Sequence, residues 1–197
     1  MGWKFHQRDG SLIITDGGVD LTKFVGTRAA VAGLSVKHAA MGPFIQTTLT
    51  LDNVAQSVVN GTEYQSTKLF TFPETRMYVV TTVATLQQKT TSVLASTLNA
   101  SSTGAISVGT AAASNVSLTS TMVDLLPSTA FTSSATINVA GTAVTAVLAA
   151  AAFLDGTATA KSAYLNTAYA TTTDVDADAT QTISGSIVIT WLNCGDK

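Results

Sequence analysis

The stretch from Phe153 to Lys197, FLDGTATAKSAYLNTAYATTTDVDADATQTISGSIVITWLNCGDK, decides the fold, and its last part decides it most firmly. Between Thr180 and Asn193 the chain alternates almost without fault. Ile183, Ile187, Ile189 and Trp191 fall in one phase, and Thr182, Ser184, Ser186 and Thr190 in the other. Successive strand side chains point to opposite faces, so hydrophobicity of period two marks a half-buried β-strand. Burying four such side chains contributes roughly 1.5–3 kcal/mol each before conformational entropy is subtracted, enough for this strand to anchor a sheet. Just upstream, Asp155-Gly156 separates an apolar run ending in Phe153-Leu154 from the alternating Thr157-Ala158-Thr159-Ala160. A two-residue Asp-Gly loop predicts a type I′ hairpin there, because glycine accepts the positive φ of the turn.

Working outward, Phe44 to Leu51 alternates with Ile45, Leu49 and Leu51 in one phase, and Asn60-Gly61 signals a turn before Lys68 to Phe72. Met77 to Gln87 is a long β-branched strand, cut off from the previous one by Pro73. Ala105 to Thr110, Leu118 to Leu126 and Ser134 to Val139 are further strand candidates. Alanine favours helix over Ala146 to Leu154, but the β-context on both sides favours a strand. Eight or nine short strands after Pro43, with turn signals between them, predict an all-β domain over residues 44–197, a β-sandwich or jelly roll of undecided strand order. There is no internal repeat of useful length, which argues against a solenoid or propeller.

Residues 1–43 carry no sustained period and are interrupted by Gly10, Gly17, Gly18, Gly26 and Gly33. Their Trp3, Phe5, Leu12, Ile13, Phe24 and Met41 are too apolar for a solvated tail. A weak hairpin is expected around Asp16-Gly17-Gly18 and a weak helix between Leu21 and Ala40. The segment either packs on its own domain as short strands and loops or forms an irregular arm that orders on a partner. Fully extended, it reaches roughly 140 Å, further than one subunit.

Only 11% of the 197 residues are charged, for a formal net charge of -2. The front half is mildly basic and the back half mildly acidic, with no cluster dense enough to track phosphates, so no nucleic-acid partner is expected. Cys194 is the single cysteine, and no N-terminal apolar segment with a cleavage site is visible, which fits assembly in a reducing cytoplasm. Ala140 to Leu154 is too short and alanine-rich to span a bilayer, so no membrane partner is expected.

Chemistry has no visible home in this chain. Asp174, Asp176 and Asp178 imitate the start of a calcium loop, but Ala179 and Gly185 stand where an EF-hand needs Gly and a bidentate Glu. His6 and His38 lack a second ligand at metal spacing. Glu63 and Glu74 are the only glutamates, and reading them as a glycosidase pair competes with the simpler reading of surface charges. Trp191 is a core residue by phase, and nothing basic near Cys194 activates it. No catalytic, cofactor-binding or metal-binding residue is assigned.

Several pieces together resemble virion structural proteins of tailed bacteriophages: Phe153 to Ala160, Tyr164 to Asn166, Asp174 to Asp178, Ser184-Gly185 and Ile189 to Asp196, with Lys68 to Pro73 and Leu125 to Thr129 upstream. The resemblance covers about residues 44 to 197. It implies a capsid decoration or cement protein, not an enzyme, that binds the outer capsid surface. Such a protein contacts the major capsid protein and itself, as a homotrimer at three-fold positions, on the exterior of a virion assembled in the host cytoplasm. Its interface residues are expected among Trp3, Phe5, Leu12, Ile13, Phe24, Arg28, Lys37 and Met41. The alternative is a phage tail or fibre module that binds host-surface glycans.

Overall fold

The computed structural model describes residues 4–8, 11–15, 22–90, 103–132, 139–169, 175 and 178–195. In chain order its strands are β1 (Lys4–Arg8), β2 (Ser11–Thr15), β3 (Thr27–Arg28), β4 (Leu34–Met41), β5 (Phe44–Val58), β6 (Tyr64–Thr71) and β7 (Arg76–Thr90). Then follow β8 (Thr103–Gly109), β9 (Leu126–Thr132), β10 (Val144–Val147), β11 (Ala152–Asp155), β12 (Ser162–Tyr169) and β13 (Ala179–Gly195). The predicted strand from Thr180 to Asn193 lies within β13, at the centre of a sheet ordered β10-β7-β13-β5-β4, with β11 also on β7. The second sheet is ordered β3-β6-β12-β8-β9. From β5 onward the chain visits the first sheet, the second, the first, then the second with β8 and β9, the first with β10 and β11, the second, and finally the first. That winding is the strand order of a jelly roll, so the expected all-β sandwich is present and its order is now defined.

The core lies between the two sheets and changes character along its length. At one end Trp191, fully buried, meets Phe72 edge-on at 5.6 Å, and Phe72 meets Phe70 edge-on at 5.1 Å. The Trp191 indole N–H donates to Thr47 Oγ1 at 3.0 Å, so the one polar atom of the buried ring is satisfied. At the other end the middle of the sandwich is polar. Gln56 and Gln181 stand directly opposite each other on β5 and β13. Gln181 Nε2 donates to Gln56 Oε1 at 3.0 Å and Thr167 Oγ1 at 2.8 Å, while its Oε1 accepts from the Tyr169 hydroxyl at 2.6 Å. Gln56 Nε2 reaches the Leu165 carbonyl across the sandwich at 3.1 Å. Every group of the Gln181 amide has a partner, so this buried network ties β12 to β5 and β13 in one register.

The two outer faces are finished differently. Residues 110–125 fold over β6, β12 and β8, where Leu118 and Met122 pack on Ala168. Asn166, fully buried, pins this loop: its Nδ2 donates to the carbonyls of Ala111 (3.0 Å) and Met122 (2.9 Å), and its Oδ1 accepts from Ala113 N–H (3.0 Å) and Ser66 Oγ (2.6 Å). Asp124 closes the loop by accepting from Thr110 N–H and Oγ1 at 2.7 and 2.6 Å. The second sheet's outer face is thereby covered by its own chain.

Several expectations change. Pro43 is not a domain border, because it lies in the turn between β4 and β5, which pair residue for residue from Leu34↔Leu51 to Met41↔Phe44. β3 likewise pairs with β6, so residues 27–43 belong to the sandwich and not to an arm. Helix over Leu21 to Ala40 shrinks to the single turn α1 (Thr22–Val25), since Gly26 and Gly33 both take positive φ and the edge of β5 needs a partner. Asp155-Gly156 is not a hairpin. Gly156 does not have positive φ, its N–H donates to the Thr75 carbonyl at 3.0 Å, and Asp155 Oδ1 accepts from Thr157 N–H and Oγ1, so the chain crosses here from β11 in one sheet to β12 in the other. Leu118 to Leu125 is loop with a short 3-10 turn at Ser120–Met122, held by the Asn166 bonds and not by strand pairing, and only Leu126 begins a strand, β9.

Ala146 to Leu154 is not one strand: its ends belong to two short strands on β7, β10 and β11, joined by a bend over 148–151. A hairpin does form near the N-terminus, but it is β1 with β2; residues 16–18 and the strand expected over Ser134 to Val139 lie outside the described residues, except Val139. Strand β5 continues past Leu51 through a bulge in which Asp52 and Asn53 oppose Ser184, with Asn53 at φ 52°. Beside it Gly185 takes φ 136°, and a Cβ there would run into the Thr85 carbonyl, so only glycine fits where the three central strands press closest.

Candidate interaction surfaces

Among the described residues, two surfaces of the first sheet have no cover. They lie at its opposite edges, four strand spacings or about 19 Å apart.

Of the eight interface residues expected from the sequence, Lys37 and Met41 lie on β4. Lys37 and Met41 occupy the same phase of β4 and are exposed. Strand β2 lies against β4, and β1 and β2 pair with each other as a separate two-stranded sheet; among the described residues neither pairs with a strand of the two layers. Their register puts Phe5 opposite Ile14 and Gln7 opposite Leu12, with Ile13 opposite His6. Phe24 is exposed in α1. Arg28 plays another part, since its guanidinium donates to the Leu34 carbonyl at 2.6 Å and ties β3 to the start of β4. Trp3 lies outside the described residues.

The opposite edge carries a surface that the sequence reading missed. On the outward phase, β7 presents Tyr78, Val80 and Val83, which are 42, 37 and 41% exposed; β10 presents Val147 (50%) and β11 presents Phe153 (59%). Phe153 is directly opposite Tyr78, and Val147 directly opposite Val83. Leu192 and Val188 on β13 extend the same two rows. These five exposed residues offer on the order of 400 Å² of apolar side chain, the scale of the largest patch on an ordinary monomer. A signal existed in the run Met77-Tyr78-Val79-Val80, because a strand apolar in both phases reads as one covered on both faces.

Carboxylates do not gather into a site among the described residues. Glu63 and Glu74 stand beyond opposite ends of β6, some 25 Å apart or more by strand rise, so they cannot share a substrate. Asp178 accepts from the Asn60 N–H at 2.8 Å and fastens the turn after β5; Asp174 and Asp176 lie outside the described residues. Among the described residues no three His, Cys, Asp or Glu side chains could share a metal, and no helix is long and apolar enough to cross a membrane. Cys194 is an exposed free thiol.

His38 is a titrating group tied to the core. Its Nδ1 is 3.1 Å from Thr47 Oγ1 and its ring 5.6 Å from Phe70. Thr47 Oγ1 accepts from Trp191 and keeps a proton that it can give to Nδ1 of a neutral imidazole. Burial holds the His38 pKa below 6.5. The unfolded chain therefore takes this proton first, and stability present above pH 6.5 is lost as pH falls through the folded value. In urea titrations stepped downward from pH 6.5, His38→Gln should lose part of the acid slope; an unchanged slope would assign it to other groups. Asp124 acts in the opposite sense, because burial raises its carboxyl above 3.8 and its contribution fades as pH rises through that raised value.

No protein-family model matches the chain, and no curated protein matches it.

Proposed function

We propose that this chain is a non-enzymatic phage virion structural protein that decorates the outside of the capsid and stabilises contacts between major capsid subunits. The observation that carries the reading is the β1–β2 hairpin. A two-stranded hairpin is marginal in water and needs a surface to pack on; among the described residues this one pairs with neither sheet, and β2 lies against the edge strand β4. Lys37 and Met41 are exposed on β4 beside the hairpin, an edge open to docking on a larger protein. The likeness of Phe153 to Ala160 and Ile189 to Asp196 to tailed-phage virion proteins supports the same reading.

Removing residues 1–43 would also strip β3 and β4 from the sandwich, so the informative deletion stops after β2. A chain without residues 1–15 should keep the wild-type urea midpoint and lose at least tenfold in affinity for purified shells that lack the protein, measured by co-sedimentation; a tenfold loss corresponds to about 1.4 kcal/mol of contact. Full occupancy by the shortened chain would reject the hairpin as the docking element. Labelled protein found only at the tail end of particles would replace the capsid reading with the tail or fibre one.

A further inference from the structure

We infer that the apolar stripe on the outer face of the first sheet, at its β10 and β11 edge, is a contact between two copies of this chain related by a two-fold axis. The stripe is laid out in cross-strand pairs. Asp155 is directly opposite Arg76, Phe153 opposite Tyr78 and Val147 opposite Val83, each pair formed by one residue of the edge strands and one of β7. All six are on the outward phase. An axis parallel to the strands, running between β7 and the edge, carries each residue over its own cross-strand partner. In the paired copies carboxylate meets guanidinium, aromatic ring meets aromatic ring, and valine meets valine. An isologous interface demands this self-complementarity, and a patch selected for a different protein has no reason to possess it.

The charges support the same occupant. Within one chain Arg76 Nε and Asp155 Oδ2 are 4.0 Å apart, at the limit of an ion pair, and their side chains are 39 and 56% exposed. Both retain hydrogen-bonding capacity for a second copy. Hydrogen bonds from Thr157, and then Arg76 and Lys161, hold the Asp155 carboxyl below its usual range, so it is charged at neutral pH. Between the aromatic and the valine pairs, Val80 is exposed and Thr81 half-buried at a bulge where β7 gains a residue against β13, so the outward phase is continuous along the stripe. Two such faces pack as aligned sheets about 10 Å apart. The small apolar area places the contact among weak interfaces whose occupancy depends on concentration. It is two-fold, in place of the three-fold assembly that the resemblance implies.

Light scattering on the full chain over a concentration series tests this. The wild-type mass should rise from one chain toward two. Arg76→Asp places like charges across the axis and should hold the mass at one chain, and so should Asp155→Arg. Mixed in equal amounts, the two variants should restore the double mass, because a doubly acidic corner then meets a doubly basic one. Arg76→Asp leaves the Thr157 bonds of Asp155 intact, and its urea midpoint checks that it folds. A wild-type mass of one chain at every concentration, a mass of three chains, or variants that stay double would each overturn the inference. Co-sedimentation of the wild-type chain with shells is read separately, so failure of the two-fold contact and failure of the capsid reading are distinguishable.

Discussion

Trp191→Ala should lower the folding free energy by about 3–5 kcal/mol, the range for removing a large buried aromatic side chain. Single domains are stable by about 5–15 kcal/mol, so the variant is expected near the edge of folding. Three losses combine. The indole is fully buried where the two sheets meet, its ring stacks edge-on against Phe72, and its N–H satisfies Thr47 between Trp191 and His38. β13 pairs with β5 on one side and β7 on the other, so a cavity there loosens three strands together. With a urea slope of about 2 kcal/mol per molar, the midpoint should fall by about 1.5–2.5 M. Trp191→Phe keeps an aromatic ring against Phe72 and loses the hydrogen bond and part of the indole volume, so its midpoint should fall by less than that of Trp191→Ala. A midpoint for Trp191→Ala within experimental error of wild type would mean that Trp191 is not the packing centre described above.

Asn166→Leu should cost about 2–4 kcal/mol even though leucine is of similar size and apolar. The amide makes four hydrogen bonds, two of them to the Ala111 and Met122 carbonyls of the covering loop. Each bond is worth about 1 kcal/mol net, and a buried carbonyl left without a donor costs a further 1–3 kcal/mol. Ser66 Oγ still reaches Ala113 N–H and Ser107 Oγ still reaches the Met122 carbonyl, which limits the loss. The damage should be local first. Backbone amides such as Ala111 and Met122 should exchange with deuterium well before the β13 amides, whereas in wild type the loop should be protected with the sheet beneath it. Uniform exchange across loop and β13 in the variant would contradict the pinning role.

The docking candidates were legible only in part. Lys37 and Met41 could be singled out because a charged or apolar residue in a segment without period suggests a surface use, and both are exposed on β4. Arg28 could not be told apart from them, because its guanidinium is consumed by the Leu34 carbonyl six residues away and nothing local announces that bond. Tyr78 and Phe153 were hidden for another reason. Each belongs to a run that reads as core, and whether an outward-facing aromatic is covered depends on a distant segment. Residues 110–125 cover the outer face of one sheet, and nothing in the chain does the same for Tyr78 and Phe153 among the described residues.

Alternation by itself determined that 180–193, 44–51 and 77–87 are strands and which of their side chains turn inward, because that pattern is set by each strand's own geometry and by the cost of wetting apolar surface. It also determined the sandwich class, since many half-apolar strands must bury their faces on one another. Tertiary structure alone decided the jelly-roll order, the crossing of the chain between sheets at Gly156, the enrolment of residues 34–41 as an edge strand, and the joining of Gln56 to Gln181. Backbone hydrogen bonds are the same between any two strands, and a side chain's periodicity records that it is buried without recording against what. The partner is selected by packing and polar satisfaction over the whole molecule, where residues 125 positions apart become neighbours.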